Sequence, residues 1–207
     1  MPDPRPYEEE LHASFDFALR EAGAFFGKAG RLYGTLRRLT SRLDAEAISY
    51  ALVGGMAVGE HGYVRMTEDI DILLTPVGLQ RFQERLGGRG YVATHPGATR
   101  SFRDSESAVR IEILVTGDFP GDGKPKPVAF PDPADVTTVV EGIRILNLPA
   151  LIDLKLASGM SAPHRLRDLA DVQDIIRARH LDERFAEQLH PSVRAAYLDL
   201  WRAVHTE

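Results

Sequence analysis

The chain contains no cysteine in its 207 residues. Disulfide bonds, thiolate metal sites and a cysteine nucleophile are therefore excluded. Seven histidines are present, but none of them forms the spaced pair that is typical of a zinc site. Any metal or catalytic site in this protein must consequently use oxygen and nitrogen ligands.

The sequence also lacks long hydrophobic runs, internal repeats and low-complexity segments. No window approaches the roughly 18 apolar residues that a membrane-spanning helix needs. The proline-rich start, residues 1–6, lacks the positive charge and the apolar core of a signal peptide. We therefore expect a cytoplasmic protein without a membrane partner.

An excess of positive charge is absent as well, since the formal net charge is −5. The whole molecule is therefore not an electrostatic trap for nucleic acid. A local exception lies over residues 81–110, where six arginines accompany three acids. These arginines indicate either a solvated basic face or a surface that attracts phosphate.

The spacing of apolar residues predicts both helices and strands. Apolar positions recur every three or four residues over 7–43, which predicts two helices separated near the glycines. Alternation of apolar and polar residues predicts strands over 48–52, 67–74, 91–94, 99–103 and 109–115, and a hairpin over 136–146. Further helices are expected over 56–61 and 75–86 and, in three pieces, from 149 onward.

These elements predict an α+β fold, in which helices flank a small mixed β-sheet. The hydrophobic fraction of 43% and the charged fraction of 27% are ordinary for a globular protein. We expect an N-terminal helical segment over 1–44 packed on the core, a catalytic core over 45–148 and a C-terminal helical region over 149–207.

Two acids in one predicted strand, Asp69 and Asp71, are separated by a single residue. Because successive side chains of a strand point to opposite faces, both carboxylates project from the same face, about 7 Å apart. Ile70 and Ile72 then face the interior. Two carboxylates on a rigid strand are suited to Mg²⁺, which prefers oxygen ligands.

A third acid, Glu112, lies on the polar face of a later predicted strand, beside Arg110. A lone acid among apolar neighbours is costly to bury without a partner or a metal ion. Glu112 therefore either completes a metal site or forms an ion pair with Arg110 or Arg103. Asp104 and Glu106, on a predicted turn, are rival candidates for the third carboxylate.

The glycine pair Gly54-Gly55 ends the first predicted strand, and thirteen residues separate it from Asp69. A backbone turn without side chains can approach a phosphate closely. Val53-Gly54-Gly55, then Asp69-Ile70-Asp71-Ile72 and the distant Glu112 resemble the signature of the DNA polymerase β nucleotidyltransferase superfamily. Residues 55–71 look especially like a bacterial branch that contains abortive-infection toxins and small drug-modifying adenylyltransferases. Residues 151–172, a helix with Lys155 followed by an Arg-x-Asp segment, are similar to the same branch.

The resemblance implies a nucleotidyltransferase fold and a Mg²⁺-dependent transfer of NMP from an NTP, such as ATP, to a hydroxyl or phosphate acceptor. Asp69, Asp71 and Glu112 would hold two Mg²⁺ ions and carry the catalysis. Gly54 and Gly55 would approach the β and γ phosphates. The acceptor would be a tRNA, a protein side chain or a small molecule.

Several further residues have two interpretations. Arg65 and Thr67 either orient a phosphate or a metal-bound carboxylate, or they form structural hydrogen bonds. Lys155 either reaches the triphosphate or extends its stem along apolar surface. His61 either contacts substrate or forms structural hydrogen bonds. Four charged residues are expected to form ion pairs along one helix face: Arg165, Arg167, Asp168 and Asp171.

Other functions are compatible with the same pattern. A toxin of a toxin–antitoxin pair would have an antitoxin protein as its partner, and an antibiotic adenylyltransferase would modify a small polyhydroxylated compound. A noncatalytic nucleotide-binding or protein-interaction module of the same fold is a further alternative. Asp69 and Asp71 argue against that module, because a fold without turnover has no need for two like charges side by side.

Overall fold

A computed structural model describes residues 5–206 as a seven-stranded mixed sheet covered by helices. The strand order is β3-β4-β5-β2-β1-β7-β6. The strands are β1 (Tyr50–Leu52), β2 (Asp69–Leu74), β3 (Tyr91–Ala93), β4 (Ser101–Asp104), β5 (Arg110–Val115), β6 (Thr137–Val140) and β7 (Ile143–Leu146). The α-helices are α1 (Tyr7–Ala13), α2 (Phe15–Phe26), α3 (Gly30–Ala45), α4 (Gly54–Glu60), α5 (Pro76–Arg85), α6 (Leu148–Ser161), α7 (Leu166–Arg179) and α8 (Arg194–His205). The predicted α+β fold is confirmed.

Strand β2 lies at the centre of the sheet, where it runs antiparallel to β1 and parallel to β5. Its inward residues, such as Ile70 and Ile72, are buried, as are Ile111 and Ile113 on β5. The two strands pair over six residues, which fixes their side chains relative to one another. Alternation along both strands therefore leaves one apolar face on the core and one polar face towards a cavity.

The N-terminal segment contains three helices, so the prediction of two was wrong. The break that the apolar spacing concealed lies at Ser14, whose backbone is extended and whose hydroxyl accepts a hydrogen bond from the Phe17 N–H. A serine that caps a new helix in this way ends the one before it. Residues 1–4 of this predicted segment lie outside the described residues.

The turn between β1 and β2 also differs in detail from the prediction. Helix α4 begins at Gly54 and therefore includes both glycines, whereas the apolar pattern placed its start at Met56. Strand β2 begins at Asp69, two residues later than predicted. The helix after it has the predicted start, since the Thr75 hydroxyl accepts from the Gly78 N–H and proline follows it.

The C-terminal third is helical, as predicted, with α6 packed on α7 and α7 packed on α8. Short 3₁₀ helices connect them, and His180 ends α7 in the left-handed conformation. Buried side chains from the N-terminal, central and C-terminal segments form one continuous core, which includes Leu36, Leu52 and Tyr197. The division into three parts stays a prediction. Across residues 5–206, every helix is too short or too polar to cross a membrane.

Candidate active site

The pairing of β2 with β5 brings three acids to one face of the sheet. In the parallel register, Asp69 lies beside Arg110 and Asp71 lies beside Glu112. All four side chains line the same cavity. The sequence-based prediction that these acids share a face agrees with this geometry. We call these four residues, Asp69, Asp71, Glu112 and Arg110, the acidic cluster.

Asp69 and Glu112 are each held by a hydroxyl and by Arg110. The Asp69 carboxylate accepts hydrogen bonds from Thr67 Oγ1 (3.1 Å) and from Arg110 Nη2 (2.8 Å). Glu112 Oε1 accepts from Ser101 Oγ (2.7 Å) and lies 3.5 Å from Arg110 Nε. Thr67 therefore orients a carboxylate, one of its predicted roles. Ser101 was missed, because its position opposite Glu112 depends on the pairing of β4 with β5.

Asp71 forms no ion pair within residues 5–206. Burial raises the pKa of its carboxyl to about 7, and the negative charge of Asp69 adds to this effect. The positive charge of Lys155 acts in the opposite direction but is outweighed. The Asp71 carboxylate is thus held in a place where a cation would stabilise it.

The acidic cluster offers hard oxygen donors of the kind that Mg²⁺ prefers. As arranged, however, no three Asp, Glu or His side chains within residues 5–206 are grouped so that they could hold a metal ion. The guanidinium of Arg110 contacts two of the three acids instead. The residues fit a divalent cation by donor type and by unbalanced negative charge, and the two-ion site stays a prediction.

The glycine pair lies directly against the acids. Gly54 has a positive φ of 64°, and a Cβ built on it would lie 1.8 Å from Asp71 Oδ2. A Cβ on Gly55 would lie 3.0 Å from Thr67 Oγ1. Glycine is therefore required at position 54 both for its backbone conformation and for the close approach of Asp71.

The two rivals of Glu112 lie elsewhere. Asp104 is buried, and its Oδ1 accepts from Arg38 Nη2 (3.0 Å) and from the backbone N–H of Ser107 (2.8 Å). Glu106 is exposed and also pairs with Arg38. Neither acid lines the cavity. Of the three candidates, Glu112 is the one that shares a face with Asp69 and Asp71.

A second group of charges lies where α6 packs on α7, and most of its members also line the cavity. Lys155 is buried, and its Nζ donates to Asp168 Oδ1 (2.7 Å) and Asp171 Oδ2 (2.6 Å). Arg65 Nε and Nη2 donate to the two oxygens of Asp171 at 2.6 and 2.8 Å. We call these residues, Arg65, Lys155, Asp168 and Asp171, the paired cluster. Lys155 forms ion pairs that the sequence did not predict, and its contact with the triphosphate stays a prediction. Arg65 forms structural hydrogen bonds, which were one of its two alternatives.

Burial raises the pKa of Asp171, but the hydrogen bond from Arg65 and the charge of Lys155 outweigh it. The pKa of this carboxyl therefore lies below its ordinary value. The predicted ion pairs along one helix face are present only in part. Arg165 pairs with Asp168, with 2.9 Å between Nε and Oδ2. The other pairs cross between elements, and they were missed because helix packing is not visible in spacing along one helix.

Both clusters contribute side chains to the lining of this cavity, whose volume of about 770 Å³ is ordinary for a ligand site. Its remaining polar lining includes His164 and Arg167, both exposed. Of the six arginines over 81–110, Arg110 lines this cavity, while Arg103 pairs with Glu8 on α1. His61 lies outside the cavity, where its Nε2 contacts the Leu146 carbonyl at 2.7 Å, so it has the structural role.

Comparison with known proteins supports the fold. No protein-family model matches the chain, and no curated protein matches its sequence. A crystal structure of ANT(2'')-Ia in complex with adenylyl-2''-tobramycin superposes with a TM-score of 0.53 at 13% identity, over 80% of this chain and 96% of that one. A solution structure of the antibiotic-resistance factor ANT(2'')-Ia superposes with a TM-score of 0.51 at 15% identity, over 84% and 97%.

A third solved structure is an antigenic nucleotidyltransferase-like protein from Paracoccidioides brasiliensis. It superposes with a TM-score of 0.49 at 18% identity, over 83% of this chain and 91% of that one; at that score it carries no weight. The two stronger superpositions cover at least 80% of this chain and almost the whole of the neighbouring chain. The chain therefore has the nucleotidyltransferase fold.

Proposed function

We propose that this protein is a Mg²⁺-dependent nucleotidyltransferase that moves NMP from an NTP to a hydroxyl or phosphate acceptor. One observation carries the proposal. Asp69, Asp71 and Glu112 lie on one face of two paired strands, with Gly54 against Asp71, and all of them open into one large cavity. This is the set of groups that metal-assisted phosphoryl chemistry requires.

Asp69, Asp71 and Glu112 would hold the divalent ions through their carboxylate oxygens. When bound, such ions neutralise the charge that develops on the phosphoryl oxygens in the transition state. Thr67 and Ser101 fix the orientation of Asp69 and Glu112 through single hydrogen bonds. Burial raises the pKa of Asp71, which means that its ionised form is destabilised. A bound cation would stabilise that form.

The remaining site residues would bind and orient the NTP. Gly54 and Gly55 present backbone without side chains next to the acids. A phosphate can therefore come close to the glycine backbone and to the carboxylates. Arg65 and Lys155 are fixed in the cavity lining by their buried ion pairs. On this proposal their contribution to the reaction is to shape the nucleotide site, and their charges are already neutralised by Asp168 and Asp171.

The acceptor defines three versions of the proposal. ANT(2'')-Ia was solved with adenylyl-2''-tobramycin, and a small polyhydroxylated acceptor would fit the 770 Å³ cavity beside a nucleotide. A tRNA or a protein side chain would have to approach from outside, past the exposed His164 and Arg167. A toxin acting on either of these would need an antitoxin protein as partner.

Four α-³²P-labelled NTPs, each incubated with the protein and Mg²⁺, test the proposal. Total RNA, a protein lysate and a set of aminoglycosides serve as three separate acceptor arms. We expect label in one arm, and its identity names the acceptor. The control is Asp71→Asn, which keeps the shape of the side chain and removes its charge. Label at the level of this control in every arm, together with measurable NTP binding, would favour the noncatalytic alternative.

A further inference from the structure

Arg110 lies where a divalent cation would be expected. Its Nη2 donates to Asp69 Oδ2 at 2.8 Å, and its Nε lies 3.5 Å from Glu112 Oε1. One side chain thus contacts two of the three carboxylates that were predicted to bind metal. This arrangement follows from the sheet, because Arg110 pairs with Asp69 across the strands and precedes Glu112 by two residues on the same face.

The contacts of Arg110 are incomplete. Its Nε is buried and has no hydrogen-bond partner among residues 5–206, since the geometry towards Glu112 is that of an ion pair alone. A buried donor without an acceptor is unfavourable. The guanidinium is therefore held mainly by the charges around it, and few directional bonds would be lost if it moved.

The side chain also has room to move. Arg110 is 39% exposed and lines the open cavity, so that rotation about its side-chain bonds would carry the guanidinium away from the acids. Glu8 on α1 is a further acid close enough to affect Arg110, but it is already bound by Arg103 through two hydrogen bonds. The backbone of β5 would not need to change.

We propose that Arg110 is a built-in counterion of Asp69 and Glu112, which competes with the divalent cation for these carboxylates. This inference rests on the proposed function. In the metal-free protein Arg110 offsets part of the negative charge of the acidic cluster. A divalent cation must displace it, so that Arg110 sets the concentration of metal at which the site fills.

Metal binding itself provides the test, without nucleotide or turnover. Mn²⁺ serves as the probe, and electron paramagnetic resonance measures the free ion during titration. We expect Arg110→Met to bind Mn²⁺ at least about fivefold more tightly than the wild type, because a competing positive charge within contact distance is removed. Arg110→Lys keeps the charge, and its affinity should return towards the wild-type value. A purely structural role of Arg110 predicts the opposite, that is, weaker binding after Arg110→Met.

Two control variants separate the local effect from other causes. Arg81→Met removes the same charge from an exposed position on α5, where the arginine donates hydrogen bonds to two backbone carbonyls. It should change the Mn²⁺ affinity by less than about twofold. Asp71→Asn should weaken binding in both backgrounds, which places the ion at the acidic cluster. Circular dichroism verifies that each variant is folded.

The outcomes distinguish this inference from the proposed function. If wild type binds Mn²⁺ in a manner sensitive to Asp71→Asn but Arg110→Met binds no more tightly, Arg110 is not a competitor and the inference fails alone. If neither protein binds Mn²⁺, the metal-dependent function fails, and the inference fails with it. Tighter binding by Arg110→Met, lost on adding Asp71→Asn, supports both.

Discussion

The acidic cluster and the paired cluster differ in how completely their charges are neutralised. In the paired cluster two acids meet two cations, and every carboxylate accepts at least two close hydrogen bonds. In the acidic cluster one guanidinium contacts two of the three acids, and the third, Asp71, has a raised pKa without an ion-pair partner among residues 5–206. Complete pairing is typical of buried charges that support a structure. Unbalanced charge in a cavity is typical of a site that awaits a ligand.

The comparison also divides the roles of the two clusters. Changes in the acidic cluster should affect the reaction and leave the fold intact, because its charges repel one another in the absence of a cation. Changes in the paired cluster should affect stability first, because each removed partner leaves a buried charge behind. The predictions below test whether the acidic cluster serves the reaction and the paired cluster serves stability.

Asp69→Asn and Asp71→Asn should have the largest effect, a loss of nucleotidyl transfer of about a thousandfold or more. On the proposed function, each removes a metal ligand worth several kcal/mol in the transition state. Asp71→Asn should not lower the melting temperature measured without metal, because Asp71 has no ion-pair partner among residues 5–206 and its removal relieves repulsion from Asp69. Initial rates with labelled NTP and scanning calorimetry on the same samples provide the measurements. Full activity in both variants would reject the acidic cluster as the catalytic centre.

Asp171→Ala should lower the free energy of unfolding by about 3 kcal/mol, because Arg65 loses its carboxylate partner and Lys155 loses one of two. The side chain of Asp171 is only 2% exposed, so water cannot replace it. Urea denaturation gives the change. The matched control is Asp174→Ala on the same helix, where a more exposed pair with Arg177 at 3.7 Å should contribute less than about 1 kcal/mol. Equal losses in both variants would contradict the division.

The acidic cluster was more predictable than the paired cluster for a physical reason. A strand repeats every two residues, so the sequence alone places Asp69 and Asp71 on one face and Glu112 on the polar face of its strand. The neighbour of Glu112 across the sheet could not be derived in the same way. That Arg110 contacts Asp69 as well as Glu112 follows from the parallel pairing of β2 with β5, which no local pattern encodes.

The paired cluster depends on how separate elements pack. Lys155 on α6 meets Asp168 and Asp171 on α7, and Arg65 reaches Asp171 from the segment before β2. Spacing along one helix predicts contacts within that helix only. The break at Ser14 was missed for a related reason, because the apolar period continues across a capping residue. Local periods thus predicted the elements, whereas contacts between elements required the structure.

The pH dependence of stability should also separate the two clusters. The pKa of Asp171 is lowered in the folded protein, so its contribution is present above the unfolded value of about 4 and is lost as the pH falls through the folded pKa. The difference in unfolding free energy between wild type and Asp171→Asn should therefore be largest near neutral pH and shrink below about pH 4. Denaturation curves at several pH values measure it. A difference that stays constant would show that the charge of Asp171 is not what stabilises the fold.

Ser101→Ala should have the smallest effect of the four. It removes the hydrogen bond of 2.7 Å that orients Glu112, and a single bond of this kind contributes about 1 kcal/mol, which corresponds to less than about a tenfold loss in transfer rate. Arg110 still contacts Glu112 in this variant. Ser105→Ala, at an exposed turn position of the same hairpin, provides the control and should leave the rate unchanged. A loss as large as that of Asp71→Asn would mean that Glu112 depends on Ser101 for its place in the acidic cluster. The acidic cluster would then be as tightly organised as the paired cluster.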